Sequence, residues 1–311
     1  MEKVDIFKDI AERTGGDIYL GVVGAVRTGK STFIKKFMEL VVLPNINSEA
    51  ERSRAQDELP QSAAGKTIMT TEPKFVPNQA ATVHVDEGLN VNIRLVDCVG
   101  YTVPGAKGYE DENGPRMINT PWYEEPIPFH EAAEIGTRKV IQEHSTIGVV
   151  VTTDGTIGEI PRSNYIEAEE RVINELKEVG KPFIMVVNSA QPYHPATETL
   201  RSSLSEKYDI PVLAMSVESM RDSDVLNVLR EALYEFPVLE VNVNLPSWVM
   251  VLRENHWLRE SYQDAVKETV KDIKRLRDVD RVVQQFSDFE FIDKAGLAGI
   301  EMGSGVAEID L

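Results

Sequence analysis

Ile18-Tyr19-Leu20-Gly21-Val22-Val23-Gly24-Ala25-Val26-Arg27-Thr28-Gly29-Lys30-Ser31-Thr32 is the stretch that decides the fold. Ile18 to Val23 is short, apolar and rich in β-formers, the pattern of a buried strand. Gly24 to Ser31 completes G-x-x-x-x-G-K-[ST]. Helical spacing then runs from Lys30 to about Val42, through Phe33, Ile34, Phe37, Met38 and Val41, until Pro44 stops it. Strand, glycine loop and helix in that order are the context a phosphate-binding loop requires. The two glycines let successive N–H groups of Ala25, Val26, Arg27 and Thr28 turn inward toward phosphate oxygens, and the helix that opens at Lys30, Ser31 and Thr32 adds its dipole. Lys30 supplies a point charge for the β- and γ-phosphates, and Ser31 offers a hydroxyl to Mg²⁺. A nucleoside triphosphate with Mg²⁺ is the expected ligand.

Outward from the loop, Val91 to Val96 alternates, turns apolar and ends in Asp97-Cys98-Val99-Gly100, a D-x-x-G at a strand end. Here an aspartate holds the Mg²⁺ shell, and the glycine frees a backbone N–H for the γ-phosphate. Between the two motifs lies Gly65-Lys-Thr-Ile-Met-Thr70-Thr71-Glu-Pro73. GTPase-like P-loop proteins carry a threonine in this position that closes over metal and γ-phosphate, so Thr70 and Thr71 are candidates, and Thr71 joins Ser31 and Asp97 as a metal residue. A plain strand start built from β-branched residues is the competing reading. Arg27 is open to two readings, a phosphate contact in its own or another's site and a solvated surface arginine.

Two absences shape the base and the chemistry. Where guanine-specific relatives place Asn-Lys-x-Asp, this chain has Asn188-Ser189-Ala190-Gln191. The asparagine remains, but a neutral glutamine cannot act as the charged bidentate acceptor that selects guanine, which leans the reading toward ATP. Position 101, where some GTPases place a water-orienting glutamine, is Tyr101. Slow intrinsic hydrolysis is the expectation.

The remainder reads as an α/β domain with an appended segment. Residues 1–14 have one apolar helical face. Residues 45–67 read as a solvated helix-loop, and 100–129 as one long loop full of Gly, Pro and charge. Strands at Ile147–Val151, Phe183–Val187 and Val212–Met215 alternate with helices near 130–144, 163–179, 196–207 and 222–235. That beat predicts a mainly parallel sheet with helices on both faces. Near Pro237 it stops. Val238 to Leu245 reads as a strand, a long charged helix follows from about 251 through Tyr262, Val266, Val270, Ile273 and Arg277, and 295–311 looks like the start of a strand-rich part. The expected division is an ATPase domain over 1–237 and the beginning of a middle α/β domain over 238–311, in a chain that is a fragment.

Composition narrows the classes further. Asp and Glu number 51 against 33 Lys and Arg, a net charge of −18, which disfavours nucleic acid and bare anionic lipid as partners. Cys98, the one cysteine, excludes an internal disulfide and suits a reducing compartment, so a cytoplasmic protein is expected. The five histidines show no metal spacing.

Together the GAVRTGKS loop, the TIMTTEP segment, LVDCVGY, TTDGTIGEIPR at 152–162 and VNSAQP resemble the stage IV sporulation protein A family of spore-coat ATPases. The resemblance covers the whole chain. It implies a fold related to translation-factor GTPases that uses ATP, with Lys30 in the Walker A role, Asp97 in the Walker B role and Thr70 and Thr71 as sensor threonines. It further implies self-assembly into a static polymer at the base of the spore coat, on the mother-cell side of the forespore surface. The partners implied are other coat proteins and a small amphipathic protein that supplies the membrane contact, both through regions beyond this chain. A GTPase of the ribosome-assembly kind and a nucleotide-gated scaffold without turnover are the alternatives.

Overall fold

The computed structural model describes residues 3–60, 73–86, 89–106, 108, 110–111 and 114–311. The chain divides into two compact units. One takes in Gly16–Ala232 with the start of the N-terminal helix up to Phe7, and the other takes in Lys8–Gly15 with Leu233–Leu311.

Helix α1 (Lys3–Thr14) begins in the first unit and ends in the second, and the first unit goes on with β1 (Asp17–Val23), α2 (Lys30–Phe37) and α3 (Glu49–Asp57). Next come β2 (Lys74–Asp86) and β3 (Leu89–Asp97). Four short strands follow, β4 (Glu110–Asp111), β5 (Gly114–Pro115), β6 (Met117–Thr120) and β7 (Tyr123–Pro128), and then α4 (Phe129–Glu143) and β8 (Ile147–Thr153). The unit closes with α5 (Ile166–Val179), β9 (Phe183–Asn188), α6 (Pro195–Tyr208), β10 (Val212–Met215) and α7 (Asp222–Tyr234), whose last two residues belong to the second unit. Six strands form one sheet in the order β10-β9-β8-β1-β3-β2. Every neighbouring pair is parallel except β2 with β3. Every residue of β8 and β9 is buried, which explains their unbroken apolar runs, since a strand covered on both faces has no solvent side to mark with polar residues.

This order positions the site. β1 lies between β3 and β8, and after β3 the chain passes to the other side of β1 to form β8, so a crevice opens at the carboxyl ends of these strands. Register then puts specific residues there. Val22 pairs with Asp97 of β3, and Val23 with Val150 of β8.

Three features of this unit differ from the sequence expectation. The stretch 100–129 is not one loop, because β4 pairs with β5 and β6 with β7 as small antiparallel ribbons. Strand β2 has no counterpart in the sequence reading. Pro77, Asn78 and Gln79 break its pattern where the register to β3 shifts between Val76 and Ala81, an irregularity that an edge strand tolerates. The expected helix to Val42 is present but leaves α-geometry, widening to a π-turn over Met38–Val42 and then tightening to a 3-10 turn over Leu43–Asn45.

The second unit contains β11 (Glu240–Asn244), α8 (Ser247–Val251), α9 (Trp257–Val270), α10 (Asp278–Gln285), β12 (Gly296–Glu301) and β13 (Val306–Asp310). β13 is central, parallel to β11 and antiparallel to β12. Val249, Tyr262, Ala265, Val279, Phe286 and Ile309 are among its core residues. The expected long helix through Arg277 is two helices. Between them the chain runs extended against Tyr234–Val238, where Leu276 N–H donates to Phe236 O and Arg277 N–H to Tyr234 O. Arg275 and Arg277 both reach the buried Glu235 carboxylate there, at 2.9 and 2.7 Å. A tertiary charge contact of this kind overrides local helix spacing.

Candidate functional site

The glycine loop is shaped by crowding that only glycine relieves. Gly24 has φ 137°, and a Cβ there would stand 2.3 Å from Val151 O. Gly29 has φ 97°, with a Cβ position 2.4 Å from the Asn188 amide. Both are left-handed conformations that side-chain-bearing residues avoid. Arg27 adopts φ 62° without being glycine, a strain of about 1–2 kcal/mol that the surrounding loop sustains. Inside the loop, Thr28 Oγ1 and Lys30 Nζ both donate to Ala25 O, at 3.0 and 2.6 Å. Val26 is buried in the core, and Thr32 sits in the first turn of α2 behind Ser31.

Lys30 is 5% exposed. Burial lowers the pKa of its ammonium, against the pull of Cys98 and Asp97. A buried cation whose hydrogen bond goes to a carbonyl is poised for an anion. Ser31 Oγ donates to Asp97 Oδ2 at 2.7 Å, and Asp97 Oδ1 is buried without a hydrogen-bond partner. Burial raises the Asp97 pKa, while the Ser31 hydroxyl, the nearby cations and the Cys98 amide pull it back. The neighbouring Cys98 thiol is pushed up to about 11, first by burial, and stays protonated.

The donor set fits Mg²⁺. A hydroxyl and a carboxylate oxygen with an open valence are hard ligands of the sort Mg²⁺ takes singly, leaving its other positions to water and phosphate. Bound there, the ion would neutralise charge on the terminal phosphates. Among the described residues no cluster of three or more His, Cys, Asp or Glu could cage a metal by itself.

The D-x-x-G turn lies directly on this loop. Tyr101 N–H donates to Gly24 O at 3.2 Å, and Val26 N–H to Tyr101 O at 2.8 Å, so Ala25 and Tyr101 extend the β1–β3 pairing. Gly100 has φ 88°, and a Cβ there would stand 2.1 Å from Gly24 O and 2.5 Å from Lys30 Nζ. The Tyr101 ring is buried and its hydroxyl donates to Glu175 Oε2 on α5. Burial and that acceptor raise its pKa, so it remains a donor.

On the side of β8 and β9, Asn188 works as a strut. Its Nδ2 donates to Thr28 O at 3.0 Å, and its Oδ1 accepts from Val217 N–H at 3.1 Å. Next to it Asp154 gathers Thr156 and Thr197 hydroxyls at 2.6 and 3.0 Å. Burial works against the Asp154 charge, but donors from Ser189, Thr156 and Thr197 prevail and hold it below the usual carboxylate range.

Residues 1–237 match the family described as Stage IV sporulation protein A, ATPase domain, and residues 238–311 match Stage IV sporulation protein A, middle domain. The chain belongs to the stage IV sporulation protein A family. It is 89% identical over its whole length to Stage IV sporulation protein A of Bacillus subtilis (strain 168), and 86% identical to that of Bacillus anthracis. The relative from Clostridioides difficile (strain 630) is 50% identical over 307 residues, 99% of this chain. The chain spans 63% of the length of the two Bacillus relatives and 62% of the third.

Within this chain, the fold brings Gly24 to Thr32, Asp97, Gly100 and Asn188 to the ends of β1, β3 and β9. Thr70 and Thr71 lie outside the described residues. Sequence reasoning missed the Asp154 cluster and the partner of Tyr101. TTDGTIGEIPR stood out as a stretch without chemistry attached, and nothing local links position 101 to position 175.

Proposed function

We propose that this chain binds ATP with Mg²⁺ at the Gly24–Thr32 loop and hydrolyses it slowly. The observation that carries the reading is the trio of buried Lys30 Nζ, the Ser31 hydroxyl on Asp97 Oδ2 and the open Asp97 Oδ1, gathered at the ends of two adjacent parallel strands. The strand order, with one antiparallel edge strand beside β3, supports a P-loop fold of the translation-factor GTPase kind. Residues 1–237 are then the ATPase domain, and 238–311 the start of a middle α/β domain. In this reading Lys30 and the loop amides hold the phosphates, Ser31 and Asp97 hold the metal, and Gly100 and the Thr70-Thr71 pair report on the γ-phosphate.

Adenine preference rests on the turn after Asn188, where Ser189 and Gln191 offer no carboxylate. Gln191 N–H is occupied by Ser189 Oγ at 2.9 Å, and Val217 N–H by Asn188 Oδ1.

The relatives named for stage IV of sporulation support a use for that turnover. Hydrolysis drives self-assembly of the longer protein into a static polymer at the base of the spore coat, on the mother-cell side of the forespore. Other coat proteins and a small amphipathic membrane-anchoring protein engage it through regions outside this chain. No helix among the described residues is long and apolar enough to cross a membrane. One observation favours a nucleotide-gated scaffold as a second reading, since the Tyr101 hydroxyl is committed to Glu175. Measuring phosphate release and sedimentable protein together separates the two. ATP with Mg²⁺ should yield both, a non-hydrolysable analogue neither, and equal sedimentation with both nucleotides would favour the scaffold.

A further inference from the structure

Asp97, with its open oxygen for the metal, ends β3 on one side of β1, so the γ-phosphate end of a nucleotide lies toward β3. The nucleoside then extends the other way from the glycine loop, over the carboxyl ends of β8 and β9. Asn188 joins the two regions, since its Nδ2 donates to Thr28 O of the loop at 3.0 Å. What the base meets is therefore set by the turns that follow β8 and β9, and one side-chain network ties these turns together.

Asp154, in the turn after β8, is the hub of that network. One carboxylate oxygen accepts from Thr156 N–H at 2.9 Å and from the Thr156 hydroxyl at 2.6 Å. The other accepts at 3.0 Å from the hydroxyl of Thr197, a buried residue in the first turn of α6. With its proton committed to Asp154, Thr156 Oγ1 is left to accept, and it takes Ala190 N–H at 2.9 Å. Buried Ser189 takes Gln191 N–H on its Oγ at 2.9 Å, and Asn188 Oδ1 takes Val217 N–H at 3.1 Å. The backbone N–H groups of Ala190, Gln191 and Val217 are thus each occupied by a side-chain oxygen.

The chemistry of the base edge gives that occupancy a consequence. Guanine O6 is an acceptor and needs an N–H donor, whereas adenine N6 is itself a donor that a bare N–H repels. We propose that Asp154 and Thr156 are a positioning pair that sets the base preference, by keeping Ala190 N–H on the Thr156 hydroxyl oxygen and so denying guanine a donor. The inference rests on the nucleotide reading above and deepens it. Gln191 in place of a carboxylate removes the acceptor that guanine would use, and the Asp154–Thr156 pair removes the donor. Asp154 acts through the Thr156 hydroxyl, and Thr156 through the Ala190 N–H.

Calorimetric titration of the chain with AMP-PNP and with GMP-PNP, both with Mg²⁺, tests this. Thr156→Val keeps the shape and removes the oxygen, Thr156→Ser keeps the oxygen, and Asp154→Ala removes the acceptor that fixes the hydroxyl. The expected result is a fall of about fivefold in the AMP-PNP to GMP-PNP affinity ratio for Thr156→Val, the order of one hydrogen bond. A fall of about threefold is expected for Asp154→Ala, where Thr156 keeps its oxygen but loses its anchor. Thr156→Ser should keep the wild-type ratio, as should the control Thr199→Val, whose hydroxyl donates to Pro195 O within α6. A purely structural role would move both affinities alike, and an unchanged or raised ratio in Thr156→Val and Asp154→Ala overturns the proposal. If Asp154→Ala fails to fold, Thr156→Val against Thr156→Ser decides by itself, since Thr156 is exposed. Wild-type protein that binds neither analogue would overturn the nucleotide reading instead, and the pair's role with it.

Discussion

Two carboxylates with buried oxygens, one in each unit, are treated in opposite ways. Glu235 has a side chain 2% exposed, and two arginines answer it, Arg275 at 2.9 Å and Arg277 at 2.7 Å. Asp97 receives a hydroxyl on one oxygen, and its other oxygen is buried with no hydrogen-bond partner. Glu235 takes both arginines from the segment between α9 and α10. Asp97 has a valence left over, and the buried Lys30 close by has its hydrogen bond on a carbonyl. A charge that serves the fold is matched from within the fold, whereas a charge that serves a ligand is left for the ligand to match.

The comparison breaks most visibly at Glu235. Glu235→Ala leaves two arginines, 32% and 22% exposed, without their anion, so a loss of about 3 kcal/mol is expected in chemical denaturation, at the low end for a broken buried pair. A loss below about 1 kcal/mol would reduce the pair to a surface contact.

Asp97→Asn should act in two directions. The amide still accepts from Ser31 but carries no charge to bury, and burial is the main cause of the raised Asp97 pKa. A raised folded-state pKa means the ionised form opposes folding at neutral pH. Metal-free protein should therefore gain about 1 kcal/mol of stability, while Mg²⁺-dependent triphosphate affinity falls roughly thirtyfold, about 2 kcal/mol. A variant that loses stability would place Asp97 with Glu235 as a structural charge.

The smallest effect concerns the base. ATP should outcompete GTP by about tenfold, ~1.4 kcal/mol, because no carboxylate follows Asn188. A competition titration in which GTP wins by the same margin would restore the GTPase reading.

Legibility in the sequence followed the range of the interactions. The glycine loop, Asp97 and the βα beat were readable because each is specified within a few residues, by glycine stereochemistry, motif spacing or apolar runs. β2 was hidden, since its register shift at Pro77 to Gln79 is repaired only by pairing with β3. The break between α9 and α10 was hidden for the same reason, being set by Glu235 some 40 residues earlier. Tyr101 read as a missing glutamine. Its hydroxyl donates to Glu175, 74 residues away, a distance no local pattern spans.

The most direct test of the account is a calorimetric titration of ATP with Mg²⁺ into the wild-type chain and into Lys30→Ala. Saturable one-to-one binding by the wild type, weakened at least a hundredfold (~2.7 kcal/mol) in the variant, is the expected result, since the phosphates lose the one buried cation of the loop. Near-equal affinity in the two proteins would contradict the assignment of this loop as the nucleotide site.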